Sequence, residues 1–251
     1  MNKLSSLLSL SFATFFLFSC EKEEIEPNIN AEVVSESRGT YCNEYSYFNK
    51  VSGPVSFGSA RGGVLLVGFQ EGLSMEARHQ ILSRYSQFKS IDGEIFMDSG
   101  VITRVNLTPW STCSDVERLM ERLKREGAVS FAYPFFEPQT TDPTEAWVGS
   151  SNEFMVSIEG NGTYEQLEQL MARTNTKLVF SFSDDIHLLR ADKFSTGNVL
   201  TICSIFNQQS FITVAEPNLV YHIPDGTTPV SEVPVGTSKT RGKGMFKRFK
   251  K

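Results

Sequence analysis

The chain of 251 residues is long enough for one or two domains, and its 40% hydrophobic and 12% aromatic content predicts a folded core. This composition excludes a charge-rich disordered chain and a collagen-like or low-complexity one, and 4 Cys are too few for a disulfide-dense scaffold. Residues 61–223 carry a net charge of −7, which argues against nucleic-acid binding because that function needs a basic face.

Residues 1–19 have the pattern of an export signal. Lys3 precedes an apolar run at residues 4–18, which is shorter than the roughly 20 residues that a membrane-spanning helix needs. The run ends in Ser19-Cys20, which resembles the lipobox of bacterial lipoproteins; an ordinary signal peptide with an incidental Cys is the alternative. The resemblance implies that Cys20 is lipidated and anchors the protein to a membrane.

Residues 20–60 follow as a tether and N-terminal segment. Its first residues after Cys20, Glu21-Lys22-Glu23-Glu24, look like the surface-export signal of Bacteroidetes lipoproteins. This implies an outer-membrane lipoprotein that is exposed on the cell surface. Cys42 lies in the same segment, and in an exported protein it could form a disulfide with Cys113 or remain a thiol.

Residues 61–137 form the first of two units with the same order of elements. The predicted elements are a strand at 63–69, a helix from Ser74, β-like runs at 88–97 and 100–107, a helix from a Ser114–Glu117 capping box, and a strand at 128–136. The side chains expected to line the buried helix faces are Ala77, Ile81, Leu82, Tyr85, Val116, Leu119, Met120 and Leu123.

Residues 152–223 form the second unit, after a linker at 138–151. The predicted elements are a strand at 153–158, a helix from a Thr163–Gln166 capping box, runs at 176–183 and 186–192, a helix near 196–207, and a closing strand at 211–222. The side chains expected to line the buried helix faces are Leu167, Leu170, Met171, Val199, Ile202, Cys203 and Phe206.

Each unit therefore reads β-α-β-β-α-β. This order predicts an α+β fold of two tandem ferredoxin-like units, each a four-stranded antiparallel sheet with two helices on one face. The other face of each sheet is then free to bind something. Residues 224–251, with seven bases, are expected to be a disordered basic tail.

The closing strands carry a short motif, Ala215-Glu216-Pro217-Asn218 in the second unit and Ala132-Tyr133-Pro134 in the first. Together with the element order, this motif resembles the pro-domains of subtilisin-like serine proteases and the stand-alone inhibitors related to them. The resemblance covers about 160 of the 251 residues. A ferredoxin-like domain of another function with a chance match is the alternative.

The resemblance implies a function in binding a protease. In the family, the free sheet face packs on two helices of the protease, and the segment after the last strand enters the substrate cleft as an added strand. Applied to this sequence, the resemblance implies that the partner-binding tail consists of Leu219, Val220, Tyr221, His222 and Ile223. No catalytic domain follows, so inhibition or chaperoning would act in trans. A surface adhesion or scaffold module without a protease target is the alternative.

No catalytic or metal site is expected. The three His (His79, His187 and His222) match no recognisable triad, and Asp184-Asp185 is typical of a hairpin turn. The segment Gly160-Asn161-Gly162 lacks the Lys of a phosphate-binding loop. We therefore expect a non-enzymatic protein without a metal or cofactor.

Overall fold

A computed structural model describes residues 42–136, 147–160 and 162–222. The expectations for the signal peptide, Cys20, residues 138–146 of the linker, Asn161, Ile223 and the basic tail lie outside these residues. The described elements are β1 (Glu44–Asn49), β2 (Gly53–Phe69), α1 (Met75–Leu82), β3 (Phe88–Met97), β4 (Gly100–Leu107), α2 (Cys113–Leu123), β5 (Val129–Phe136), β6 (Trp147–Ser157), α3 (Tyr164–Thr174), β7 (Lys177–Ser181), β8 (Ile186–Arg190), α4 (Val199–Asn207) and β9 (Val214–His222).

From β2 to β9 the elements occur in the predicted order, and most of the expected helix faces are buried. The Ser74 side chain caps α1, and the Thr163–Gln166 capping box opens α3. The expected stripes on α2 and α4 are fully buried, because apolar side chains at i, i+3, i+4 and i+7 share one face of a helix. Among the described residues, no helix is both long and apolar enough to cross a membrane.

The start of α2 differs from the prediction by two residues. Thr112, not Ser114, is the N-cap, and its capping-box partner is Asp115, not Glu117. The Asp115 amide donates to Thr112 Oγ1 at 3.3 Å, and the Thr112 amide donates to Asp115 Oδ2 at 2.9 Å. The Thr112 hydroxyl also donates to Asp115 Oδ2 at 2.8 Å. The bonds that the Thr112 amide and hydroxyl donate to this carboxylate hold the pKa of Asp115 below its usual range.

We expect the Thr112→Ala variant to lose about 1 kcal/mol of unfolding free energy, because the cap of α2 disappears. The Ser114→Ala variant is the matched control, since Ser114 lies inside the helix, and it should change stability by less than about 0.5 kcal/mol. Urea denaturation followed by circular dichroism measures both values. Equal losses in the two variants would contradict the position of the cap.

The predicted fold class is wrong, because the two units do not form separate sheets. The described strands build one curled antiparallel sheet, a half-barrel of nine strands. The hydrogen-bonded order is β3-β4-β2-β5-β6-β8-β7, with β1 paired to β2 and β9 paired to β6. The two units are thus halves of a single sheet.

Strand β6 connects the halves. Its first part pairs with β5 at Phe135 and Gly149, and its last five residues pair with β8. β9 runs along the other edge of β6. Gly149 allows the close approach at this joint, because a Cβ there would lie 2.9 Å from Leu66 Cδ1 and 3.0 Å from Phe135 Cδ1, so these buried side chains would have to shift.

The face of the first half that was expected to be free is largely covered. Residues 64–67 of β2 are all buried, so both faces of this strand are packed. On β5, Tyr133 is also buried, and its hydroxyl lies against the backbone of Val199 at the start of α4. Burial raises the pKa of Tyr133 above its usual range. A helix of the second half therefore packs on the sheet of the first half.

Strand β1 was not predicted, although it ties the N-terminal segment to both halves. Its buried residues alternate as Tyr45, Tyr47 and Asn49. Asn207 of α4 donates to the Phe48 carbonyl at 2.9 Å, so β1 is anchored to the second half. A disulfide joins Cys42 to Cys113 with a Cα–Cα distance of 5.8 Å, which anchors the same segment to α2 of the first half.

Candidate functional site

A groove separates two strand edges of the half-barrel. One wall is residues 95–98 of β3 and its turn, the other is residues 218–221 of β9, and Arg104 of β4 also lines it. We call this space the β3–β9 groove; its volume is about 590 Å³. Within the described residues, β3 pairs only with β4 and β9 pairs only with β6, so each strand turns an edge without a partner strand toward the groove.

Two aromatic side chains beside the groove are exposed. Phe96 is 79% exposed and Tyr221 is 66% exposed. Open strand edges beside large apolar side chains favour association with another chain, and proteins normally cover or charge such edges. Pro217 has no N–H to donate, so the usable edge of β9 begins at Asn218.

One end of the groove is closed by a buried carboxylate. Glu153 of β6 is fully buried. It accepts a hydrogen bond from the Ser99 amide at 2.6 Å and another from the Asn218 side chain at 3.0 Å. Ser99 lies in the β3–β4 turn, so these two bonds join the tip of that hairpin to β6 and β9. We call this set the Glu153 clamp.

A β-bulge in β6 holds the residues of the Glu153 clamp in place. The register of β6 against β9 shifts between Ser150 and Phe154. Inside this shift, the Glu153 amide donates to Ser151 Oγ at 3.0 Å, and Ser151 Oγ donates to the Asn218 carbonyl at 2.7 Å. The bulge therefore turns a run of polar residues inward, where each finds a hydrogen-bond partner, as buried polar groups require.

The other end of the groove is closed by Arg104 and aromatic rings. Arg104 Nε lies 2.7 Å from Asp92 Oδ2, and Arg104 Nη1 contacts His222 Nδ1. The His222 ring lies 4.8 Å from the Trp147 ring, and the Arg61 guanidinium lies 3.9 Å from the centre of that indole. These contacts fix the end of β9 beside the first half.

The residues predicted as the partner-binding tail are mostly part of the sheet. Leu219, Val220, Tyr221 and His222 pair with Ser150, Gly149, Val148 and Trp147 of β6. One edge of this segment is therefore already occupied, so it does not extend away from the last strand as the resemblance implied. Ile223 lies outside the described residues.

Most residues of the motif in the closing strands make contacts that hold the sheet and core together. Ala132 and Pro134 pair with Val67 and Leu65 of β2. Ala215 is buried, and Glu216 accepts a hydrogen bond from Asn49 at 2.9 Å. In this motif, Pro217 limits the open edge of β9, and Asn218 both joins the Glu153 clamp and lines the groove.

The remaining sequence candidates occupy structural positions. His79 packs its ring against Phe88. His187 is buried and hydrogen-bonded to Ser181 at 2.8 Å, and Asp184-Asp185 lie in an exposed loop. Cys203 is fully buried, and burial raises the pKa of its thiol well above the usual range. Among the described residues, no cluster of His, Cys, Asp and Glu could hold a metal.

Sequence reasoning missed Ser99, Phe96 and Glu153. The sequence around Glu153 shows only an acid directly before the apolar residues 154–156 and after the polar run Ser150-Ser151-Asn152, a weak signal because it is equally typical of a loop that leads into a strand. The linker assigned to residues 138–151 hid that signal, since β6 begins at Trp147. The sequence did not identify Phe96 as a functional residue, because a strand's sequence pattern does not distinguish one exposed aromatic residue from a core residue.

No protein-family model, no curated protein and no solved structure matches this chain.

Proposed function

We propose that this protein is a non-enzymatic binding protein that takes an extended segment of another protein into the β3–β9 groove. The single observation that carries the proposal is that two strand edges, neither of which pairs with another strand of the described residues, face one groove. Edge strands bind extended peptides through main-chain hydrogen bonds, while the alternate side chains give specificity. The proposal keeps the lipid anchor at Cys20 that the lipobox resemblance implies, and the outer-membrane location that the resemblance of residues 21–24 to a surface-export signal implies.

The geometry limits what the bound segment looks like. Ser99 lies beside Asn218, and Arg104, which pairs with Gly93, lies beside His222, so β3 and β9 run antiparallel across the groove. The four residues 218–221 span roughly 13 Å of extended chain. We therefore expect a partner segment of about four paired residues, with apolar side chains that contact Phe96 and Tyr221.

The groove itself supports binding in preference to catalysis. Among the described residues, its polar side chains are Asp98, Arg104, Asn218 and the hydroxyl of Tyr221, and Arg104 and Asn218 are already engaged in holding its two ends. A hydrolytic site would need a nucleophile within hydrogen-bond reach of a base, and the Tyr221 hydroxyl makes no hydrogen bond to Asp98, Arg104 or Asn218.

The test is a selection of random twelve-residue peptides displayed on phage against protein comprising residues 21–251. We expect enrichment of sequences with alternating apolar residues. The Kd of a selected peptide should rise at least tenfold in the Phe96→Asp and Tyr221→Asp variants, because each places a charge at the apolar contact. Isothermal titration calorimetry measures these values.

Phe194→Asp is the matched control, because Phe194 is 71% exposed and does not line the groove. It should leave the Kd unchanged. Hydrogen exchange of residues 218–222 should slow when the peptide is bound. A selection without a shared pattern, or equal losses in all three variants, would contradict the proposal.

Inhibition of a subtilisin-like protease in trans is the second candidate. The observation that favours it is that Ala215, Pro217 and Asn218 lie in the last described strand, where the resemblance implies them. Because residues 219–222 belong to β9, an inhibitory segment would have to begin at Ile223. Inhibition of subtilisin by residues 21–251, lost in protein that ends at His222, would support this candidate; equal behaviour of the two proteins would exclude it.

A further inference from the structure

A second surface feature lies away from the β3–β9 groove, in the turn between β4 and α2. The Ser111 amide donates to the Thr108 carbonyl at 3.2 Å, which closes a four-residue turn with Pro109 in its second position. Trp110 occupies the third position with a φ of 74°. Gly or Asn normally takes this position, because a positive φ strains a residue that has a larger side chain.

Trp110 is also 95% exposed. Most large aromatic residues gain stability from burial, so this residue combines a strained backbone with an unburied side chain. A strained backbone and an exposed large side chain occur together mainly at functional sites, where the surrounding structure maintains the strain.

The surrounding structure does hold this turn. The Thr108 amide donates to the Gln87 carbonyl at 2.7 Å. Gly62 lets β2 approach the turn, because a Cβ there would lie 2.1 Å from the Ser111 carbonyl oxygen. The N-cap Thr112 and the disulfide at Cys113 follow directly. Trp110 is thus presented from a rigid support.

A shallow cleft of about 480 Å³ adjoins Trp110. Hydrogen-bonding residues line much of it, including Lys89, Asn106, Thr108 and Ser111. Among the described residues, the Lys89 ammonium and the Asn106 amide have no hydrogen-bond or ion-pair partner. The cleft therefore offers one flat aromatic face together with donors and acceptors that are available to a ligand.

We propose that this cleft binds a glycan, with one pyranose ring stacked on Trp110. The C–H face of a pyranose matches the flat apolar face of an indole, and sugar hydroxyls match the amide of Asn106 and the ammonium of Lys89. An apolar protein pocket that received Trp110 would offer no hydrogen-bond partner to these polar groups, whereas a sugar carries hydroxyls beside its apolar face. Binding to an anionic membrane would need a cluster of bases, whereas Lys89 is the only base among the described residues that line the cleft.

The test uses isothermal titration calorimetry of residues 21–251 with cellohexaose, maltohexaose, mannohexaose and xylohexaose. We expect at least one to bind. Its Kd should rise at least tenfold in the Trp110→Asn variant and less in Trp110→Phe, which keeps a smaller stacking surface. Asn tolerates a positive φ, so the Tm of Trp110→Asn should equal or exceed that of the wild type. A loss of binding without a loss of stability separates a ligand role from a structural one.

Phe182→Asn is the control, because it removes an exposed aromatic residue that does not line the cleft; it should leave sugar binding unchanged. No binding of any of the four hexasaccharides, or equal binding by wild type and Trp110→Asn, would overturn the proposal. Vesicles of phosphatidylethanolamine and phosphatidylglycerol that bind wild type but not Trp110→Asn would overturn it in favour of a membrane contact.

Discussion

Replacing Glu153 by Ala is expected to lower the free energy of unfolding by about 2–4 kcal/mol. The substitution leaves the Ser99 amide and the Asn218 side chain without their buried acceptor, and each unsatisfied group costs about 1–3 kcal/mol. Urea denaturation measures the total loss. Hydrogen exchange at residues 98–100 should rise more than elsewhere, because the tip of the β3–β4 hairpin is released from β6.

Two controls make the Glu153 prediction specific. Glu153→Gln keeps one acceptor for the Ser99 amide and can bond to Asn218 once the amide of that residue rotates, so its loss should be about 1 kcal/mol. Glu159→Ala removes an exposed carboxylate just beyond the end of β6 and should change stability by less than about 0.5 kcal/mol. Equal losses for Glu153→Ala and Glu153→Gln would show that the clamp bonds are not the source of the effect.

Removing the Cys42–Cys113 disulfide is expected to lower stability by about 2–4 kcal/mol, because the link closes a long loop in the unfolded chain. The two Cys are 71 residues apart in sequence. For a domain of this size the change corresponds to a fall in Tm of roughly 5–15 °C. Differential scanning calorimetry of the Cys42→Ser/Cys113→Ser double variant measures it.

A reductant provides the control for the disulfide. It should lower the Tm of the wild type and leave the double variant unchanged, since Cys203 is a free, buried thiol. Hydrogen exchange should increase at β1 and at Asn43 directly before it, whose amide donates to Glu117 at 2.9 Å. A wild-type Tm that stays constant after full reduction, verified by mass spectrometry, would contradict the prediction.

The sequence by itself determined the local elements. The capping box at Thr163 and Gln166 and the apolar stripe on α4 identified their helices, because a cap and a helical period depend on residues within one or two turns. The hairpin of β3 and β4 was equally local, since Asp98 and Ser99 form its turn. The pairing of Cys42 with Cys113 remained open, because it depends on how distant segments meet.

The tertiary structure decided how the halves combine and where the candidate sites lie. The repeated element order predicted two separate four-stranded units, but pairing of Phe135 with Gly149 merged their strands into one curled sheet. Strand pairing joins residues that are distant in sequence, and the free energy of burying the face around Tyr133 depends on the whole packed structure. For the same reason, only the tertiary structure reveals the β3–β9 groove, the Glu153 clamp and the exposed, strained Trp110.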